Sequence, residues 1–426
     1  MKSLCFAVLF VGALLHFVRV EGAAVLHAPK GEHVKNKYIV VLDDHVTVEQ
    51  QLEHVSKIFE NSVDEPPKIE KTLNIGKHFK AYSAIMNNAT LERVLQLPHV
   101  QYVVPEEILR FRTLDKKNKS EGIHSYFHRR RRSPCTTQSD ADWGLERTSV
   151  RRFHNTRKYT YSKNYQGQGV DVYVIDTGVY ANHRDFEGRA RIVKDYVNVR
   201  NPDEDGHGTF VASLIIGKKY GVAKKARVAA VRVLDDDGYA TTQKLVESIQ
   251  WVASQARYKR STVILNFSVG VPSNDLINHA ASAAVRDGVV FVTSAGNEGE
   301  DACKTSPAKV AETITVAGSD RNDRFMVARK VQSNFGACVD IFAPSQDILG
   351  AGTTNPSSTK TDSGTSFGTA LVSGILAKLL SENPRQTPSQ LKQYLLRSAS
   401  RDILKPPIGH SWPPNTANLL VHDGCY

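Results

Sequence analysis

The sequence predicts an α/β protein, a mainly parallel sheet covered by helices on both faces, preceded by a small α+β unit. Three observations carry this. Residues 170–175, 228–234, 263–267, 289–292 and 313–316 are short, nearly unbroken apolar runs. Strands buried on both faces read that way, as in a parallel sheet between two helical layers. Stretches with helical character, 242–255 and 275–286 among them, separate the runs. Residues 37–112 repeat the alternation on a smaller scale.

Composition agrees. The chain has 426 residues, 41% hydrophobic and 23% charged, which excludes a mainly disordered, collagen-like or coiled-coil protein. Its length suits two or three domains at about 100–200 residues each.

Residues 1–22 read as a secretory signal. Lys2 supplies a positive start, and the apolar run 4–15 falls short of the roughly 20 residues a spanning helix needs. Gly22, Ala23 and Ala24 offer small residues for cleavage. The expectation is a secreted protein with no membrane span.

In the small unit, 37–42 is strand-like. Residues 47–59 carry Val48, Leu52, Val55, Ile58 and Phe59 at helical spacing, and Thr47 with Gln50 has the form of a capping box. Residues 79–85 alternate like a strand. Thr90 is expected to begin and cap a second helix through Leu91, Val94 and Leu95. Residues 100–104 are a last strand. The expected order is β-α-β-α-β, one sheet with two helices on one face.

Residues 113–132 are polar and basic. Lys116, Lys117, Lys119 and Arg129 to Arg132 stand against Asp115 and Glu121, and hold much of the net charge of +11. Because the excess sits in a linker, no nucleic-acid partner is expected. A run of arginines is often only a solvated stretch. Between two foldable units of a secreted chain it reads as a processing site after Arg132, with Ser133 the new N-terminus. Residues 133–426 form the larger domain. Cys5 leaves with the signal, and Cys135, Cys303, Cys338 and Cys425 remain. An even count allows disulfides, and no CxxC pair suggests zinc.

Candidate chemistry lies at strand and helix ends, where ligands bind in parallel sheets. Asp176 follows the run 170–175 and precedes Thr177-Gly178; alone it reads equally as a turn residue. His207 lies between Gly206 and Gly208 before the helical run 209–216; a lone His is more often structural. Ser366 opens the helical run 371–380 within Gly364-Thr365-Ser366; most such serines are N-caps. Together the three supply acyl-transfer chemistry: a nucleophile, a base, and a carboxylate that holds the imidazole tautomer. Asn297, after the run 289–292, can donate its amide to an oxyanion. No Gly-x-Ser-x-Gly surrounds Ser366, which disfavours an α/β-hydrolase lipase or esterase.

Asp176-Thr177-Gly178, His207-Gly208-Thr209, Ala295-Gly296-Asn297 and Gly364-Thr365-Ser366 resemble the four signatures of the subtilisin-like serine proteases, closest to the proteinase K-like branch. Residues 37–112 resemble their inhibitory propeptide. The resemblance implies a subtilisin-like fold, an endopeptidase made as a zymogen, and polypeptide substrates. It implies a substrate backbone held between Ser268-Val269-Gly270 and Gly238-Tyr239-Ala240, with a primary pocket walled by 268–270 and by Ser294, Ala295 and Gly296. No acidic residue lies in those pocket walls, so cleavage is expected after apolar or small residues rather than after Arg. A second protease would then cut the arginine run. A Cys303–Cys338 disulfide is implied; Cys135 and Cys425 are left as candidates for another, among the three pairings four cysteines allow. No cofactor is implied for the chemistry. A structural calcium is implied at Asp340 with the carbonyls of Ala311 and Thr313, although calcium takes about six to eight oxygens. Self-cleavage is expected near 109–113, and the protein is expected to act as a monomer.

The chain departs from the family after its signatures. Phe367-Gly368 and Ala370-Leu371 replace the usual Met-Ala and Pro-His. Phe210 stands where His is common, Ser213 where Gly is, and Ser268-Val269-Gly270-Val271 alters the usual continuation. These changes support a second reading, a self-cleaving but otherwise idle protein that binds a partner. Asn88 and Asn118 head glycosylation sequons. Asn266 heads a third, in a buried-type strand, and is expected to stay unmodified.

Overall fold

A computed structural model describes residues 23–26, 32–60, 66–110, 134–198 and 202–425. The expected signal 1–22, the linker 113–132 with Asn118 and Arg132, and Ser133 lie outside the described residues.

The N-terminal unit is a mainly antiparallel sheet backed by two helices. Strands run in the order Val100–Arg110, Glu32–Leu42, Phe79–Ile85, Lys68–Ile75, and the short strand Ala24–Val25 adds beyond Val100–Arg110. The Thr47 capping box forms as expected and starts helix Val48–Phe59. Two expectations are corrected. The second helix, Asn88–Leu95, begins earlier than Thr90, and its cap is Asn87, whose side chain accepts from the Thr90 amide at 2.8 Å. Strand Lys68–Ile75 was not expected, so the order is β-α-β-β-α-β. It escapes notice because it is an edge strand in which only Leu73 and Ile75 are buried.

Strand Glu32–Leu42 explains its own composition. Val40 and Leu42 face the unit's two helices, in a core with Val48, Val55 and Val94. Ile39 and Val41 face the other way and pack with residues of the larger domain, including Val252, Ala256 and Ala280. A sheet strand alternates its side chains, so four consecutive apolar residues mean two covered faces.

Among the described residues the larger domain has a nine-stranded sheet. Its order is Ser400–Arg401, Leu419–Leu420, Ile341–Pro344, Ile314–Ser319, Val289–Ser294, Val263–Phe267, Asp171–Asp176, Arg227–Arg232, Ala190–Asp195. All neighbours are parallel except the first pair. In Asp171–Asp176, Val172 and Val174 point to one core and Tyr173 and Ile175 to the other. Helices His207–Ile216 and Thr365–Glu382 fill the first face and are buried almost throughout. Helices Thr242–Lys259 and Asp275–Arg286 cover the second. Strand Ala190–Asp195 and helices Trp143–Ser149 and Pro388–Ser398 lack the long apolar runs that mark the others. Disulfides join Cys303 to Cys338 and Cys135 to Cys425.

Candidate active site

Asp176 ends its strand where the order reverses: the later strands lie to one side of it, Arg227–Arg232 and Ala190–Asp195 to the other. That crevice is where ligands bind in open α/β sheets. Gly178 follows with φ +124°, and a Cβ there would collide with the Pro202 carbonyl, so only glycine makes this turn. The Asp176 carboxylate is fully buried and accepts from the Thr177 amide at 2.8 Å.

His207 is the first residue of its helix, two positions earlier than expected, and the cap position is Gly206. Its Nδ1 lies 2.8 and 3.0 Å from the two Asp176 oxygens. Burial works against the imidazolium. The charge and hydrogen bond of Asp176, with help from Asp205 and Asp362, outweigh burial and lift the pKa to about 9. One carboxylate that the sequence reading passed over ties these parts together. Buried Asp203 accepts from the Thr177 hydroxyl at 2.7 Å, the Gly206 amide at 2.9 Å and the Thr209 amide at 2.7 Å. It holds the turn after Asp176 against the start of the His207 helix. Its place in the acidic run before His207 was the available signal.

Ser366 is the second residue of helix Thr365–Glu382, and the cap position is Gly364, so Ser366 is not a capping serine. Its hydroxyl donates to the Ser268 carbonyl at 3.1 Å. The ring of the next residue, Phe367, lies 5.9 Å from the His207 ring, which brings the two segments together. Asn297 stands at the same corner. Its Oδ1 accepts from the Thr365 amide at 2.9 Å and the Thr365 hydroxyl at 3.0 Å. An N–H facing it fixes that atom as the oxygen, which leaves the amide nitrogen free to donate. Asn334, fully buried, braces this loop. It accepts from the Glu298 and Glu300 amides and donates to the Ala295 carbonyl, each at 3.0 Å.

The departures after Ser366 fit one another. The rings of Phe367 and Phe210 lie 4.5 Å apart, so the two changed positions form one contact beside His207. Gly368 makes room for Ser345, since a Cβ there would stand 2.5 Å from the Ser345 hydroxyl. The Ser213 hydroxyl donates to the Phe210 carbonyl at 2.7 Å and accepts from the Ala351 amide at 3.0 Å. Ala370 and Leu371 are core residues.

The expected substrate edges are both at this crevice. Val269 is buried, and a Cβ on Gly270 would lie 3.8 Å from the Ser294 hydroxyl, so the walls 268–270 and 294–296 meet. Glu298 stands just past Gly296, but its carboxylate accepts from the Asn297 amide and from Asn334. The other edge, Tyr239–Thr241, is already paired. The end of strand Val100–Arg110 runs antiparallel to it, with Arg110 opposite Tyr239, Leu109 opposite Ala240 and Ile108 opposite Thr241. Leu109 is buried in the second-face core, and the Arg110 guanidinium lies 5.2 Å from the centre of the Tyr239 ring. Glu107 accepts from Asn274, the cap of helix Asp275–Arg286, at 3.0 Å. Glu106 accepts from the Gln243 amide in the first turn of helix Thr242–Lys259 at 3.3 Å. The N-terminal unit therefore sets one acidic side chain at the start of each second-face helix.

At Asp340 the expected ligand set converges, but around another cation. The Lys392 ammonium donates to the carbonyls of Ala311 at 2.8 Å and Thr313 at 2.6 Å and to the Asp340 carboxylate at 2.8 Å. These three groups do not fit a calcium ion while Lys392 stands among them. Asn88 is exposed, as a glycosylated side chain must be. Asn266 is fully buried and bonded to Ser268 and Ser373, which excludes modification of the folded chain.

Comparison with known proteins follows the same division. Residues 167–418 match the Subtilase family and residues 37–112 the Peptidase inhibitor I9 family. Subtilisin-like proteinase Spm1 of Pyricularia oryzae is 32% identical over 450 residues, covering 95% of this chain and 80% of its own length. Subtilisin-like serine protease Pen ch 18 of Penicillium rubens is 34% identical over 430 residues, covering 95% and 83%. The crystal structure of a cold adapted subtilisin-like serine proteinase superposes with a TM-score of 0.60 at 38% identity, over 67% of this chain and 99% of that one.

Proposed function

Given that the chain belongs to the subtilase family of serine endopeptidases, we propose that it is a secreted zymogen whose peptidase domain, residues 133–426, cuts peptide bonds with Ser366, His207 and Asp176. The observation that carries this is the buried Asp176 carboxylate on Nδ1 of His207, beside the helix that presents Ser366. The Ser366 hydroxyl leaves the Ser268 carbonyl, gives its proton to neutral His207 at Nε2, and its oxygen bonds to the substrate carbonyl carbon. The oxyanion takes hydrogen bonds from the Asn297 amide and from first-turn N–H groups of the Ser366 helix, which lack intrahelical acceptors. The C–N bond breaks as His207 returns the proton to the leaving amine. Water, deprotonated by the same imidazole, then hydrolyses the acyl-enzyme. Asp176 keeps Nδ1 protonated throughout. No cofactor takes part in any step.

The inhibitor domain, residues 37–112, is an intramolecular inhibitor. We place self-cleavage near 109–113, because residues 108–110 lie along the substrate edge as an added strand. A second cut after Arg132 would start the mature chain at Ser133. The buried Leu109 and the lack of a free carboxylate beside the pocket walls support a preference for apolar or small residues. Secretion is supported by the two disulfides, which need an oxidising compartment. Among the described residues no helix is long and apolar enough to cross a membrane.

Replacing Ser366 by Ala tests the reading. We expect loss of both self-cleavage and proteolysis, a fall in kcat on the order of 10⁶-fold. Asn297→Ala should lose roughly 10²–10³-fold with little change in KM. Full proteolysis by the Ser366→Ala protein would overturn the assignment. The idle-partner reading draws on the Ser366 hydroxyl resting on Ser268 and on the filled substrate edge. A fluorophosphonate that labels Ser366 in the secreted protein as isolated excludes it. Labelling only after the inhibitor domain is stripped favours it.

A further inference from the structure

The corner around Asp340 is a socket built for a cation. Two carbonyls of the turn before strand Ile314–Ser319, those of Ala311 and Thr313, converge on the carboxylate of Asp340, the residue before strand Ile341–Pro344. The carboxylate is fixed in place, because one oxygen accepts from the Thr315 amide at 2.9 Å while the Asp340 amide donates to the Thr315 carbonyl at 3.0 Å. Lys392 reaches in from helix Pro388–Ser398, whose own start is held by a Thr387–Gln390 capping box. Its ammonium has three N–H groups and meets three acceptors, so no donor is left over. Both side chains are mostly shielded, at 19% and 21% exposed.

We propose that Lys392 is a tethered cation that permanently occupies a calcium-type socket, and that removal of its side chain converts the socket into a divalent-cation site. Three features argue for it. The N···O distances of 2.6 to 2.8 Å suit an ammonium hydrogen bond, whereas calcium–oxygen distances are about 2.3–2.6 Å. One carboxylate balances one positive charge and leaves half of a divalent ion's charge uncompensated. A calcium ion bound to these oxygens would meet the positive charge of Lys392, whose backbone is fixed on helix Pro388–Ser398. The tether also does what a free ion cannot: it joins helix Pro388–Ser398 to the sheet.

The test is thermal unfolding of the full chain carrying Ser366→Ala, which avoids self-digestion, in excess EDTA and in excess calcium. Lys392→Ala in that background should melt roughly 5 °C lower in EDTA and recover a large part of the loss in calcium, with magnesium less effective because it demands a tighter octahedral shell. The parent should lack this increment, whatever calcium it binds elsewhere. Asp340→Asn should be destabilised with no calcium recovery, because Lys392 still fills the socket. Lys392→Gln, which can still donate two N–H groups, keeps the test available if the alanine variant does not fold. It should be intermediate in EDTA and respond weakly to calcium. The proposal is overturned if Lys392→Ala melts as the parent does. It is equally overturned if its loss is not recovered by calcium, or if the parent shows a calcium increment that Asp340→Asn abolishes.

Discussion

The carboxylates around His207 lift its pKa above the ordinary imidazole value, to about 9, against the effect of burial. Only neutral imidazole can accept the Ser366 proton. Self-cleavage should therefore speed up about tenfold per pH unit below 9 and level off above it. Asp205→Asn removes one of the charges that favour the imidazolium, so the limb should move to lower pH. Pulse-chase or gel analysis of the zymogen between pH 6 and 10 reads both. The stability term has the opposite slope: with a folded pKa above the unfolded value of about 6.5, it is fully present below that value and lost as pH rises through 9. The Phe210–Phe367 contact is the second feature at this scale. Each ring occupies a position where the family uses another residue, and their centroids are 4.5 Å apart. A double-mutant cycle to Ala, read by urea unfolding in the Ser366→Ala background, should return a coupling of about 0.5–1.5 kcal/mol. Additive losses would mean that the two changes arose without compensating each other.

Strand Val100–Arg110 shows how an element serves two folds. Residues 100–108 pair along Glu32–Leu42 in the inhibitor sheet, and residues 108–110 pair on the other edge with Tyr239–Thr241 of the peptidase. Leu109 is its apolar anchor. Leu109→Asp puts a charge into an apolar site, and the cut inhibitor domain should then separate from the peptidase on gel filtration where the parent pair co-elutes. Glu106 adds a pH dependence. Burial raises its pKa above the usual carboxylate value, and the neighbouring Thr241, Lys37 and Gln243 only partly offset this. A raised carboxyl pKa means that docking is favoured by protonation, so retention should be strongest in acid and weaken as pH rises through that value. Glu106→Gln should flatten the profile.

For the whole molecule, Cys135–Cys425 closes a loop of sequence separation 290 and ties the strand Cys135–Gln138 to the segment after strand Leu419–Leu420. Replacing both cysteines by Ser should lower stability by about 2–4 kcal/mol, measured as a shift in urea midpoint. The buried pair of Lys378 and Asp423 sits beside the same C-terminal segment and links it to helix Thr365–Glu382. Damage to the chain ends should thus reach the helix that carries Ser366. The inhibitor domain completes the second face: helices Thr242–Lys259 and Asp275–Arg286 lie between the peptidase sheet and the inhibitor sheet, in one apolar core.

Sequence alone determined the α/β class, the central strands, the long helices and the candidate triad with Asn297. Each of these rests on local patterning or on short motifs, and a strand buried on both faces writes its burial into every residue. Edge elements such as Lys68–Ile75 and Ala190–Asp195 were not legible, because half of their surface meets water and their composition is mixed. Asp203 and Asn334 were not legible as braces either, since what they hold is distant in sequence. Tertiary structure alone decided that the Ser366 hydroxyl rests on Ser268, that Phe210 and Phe367 meet, and that the Lys392 ammonium reaches the Asp340 carboxylate. Residue 392 lies 52 positions beyond its carboxylate. Only the packing of its helix against the sheet brings that charge to the socket.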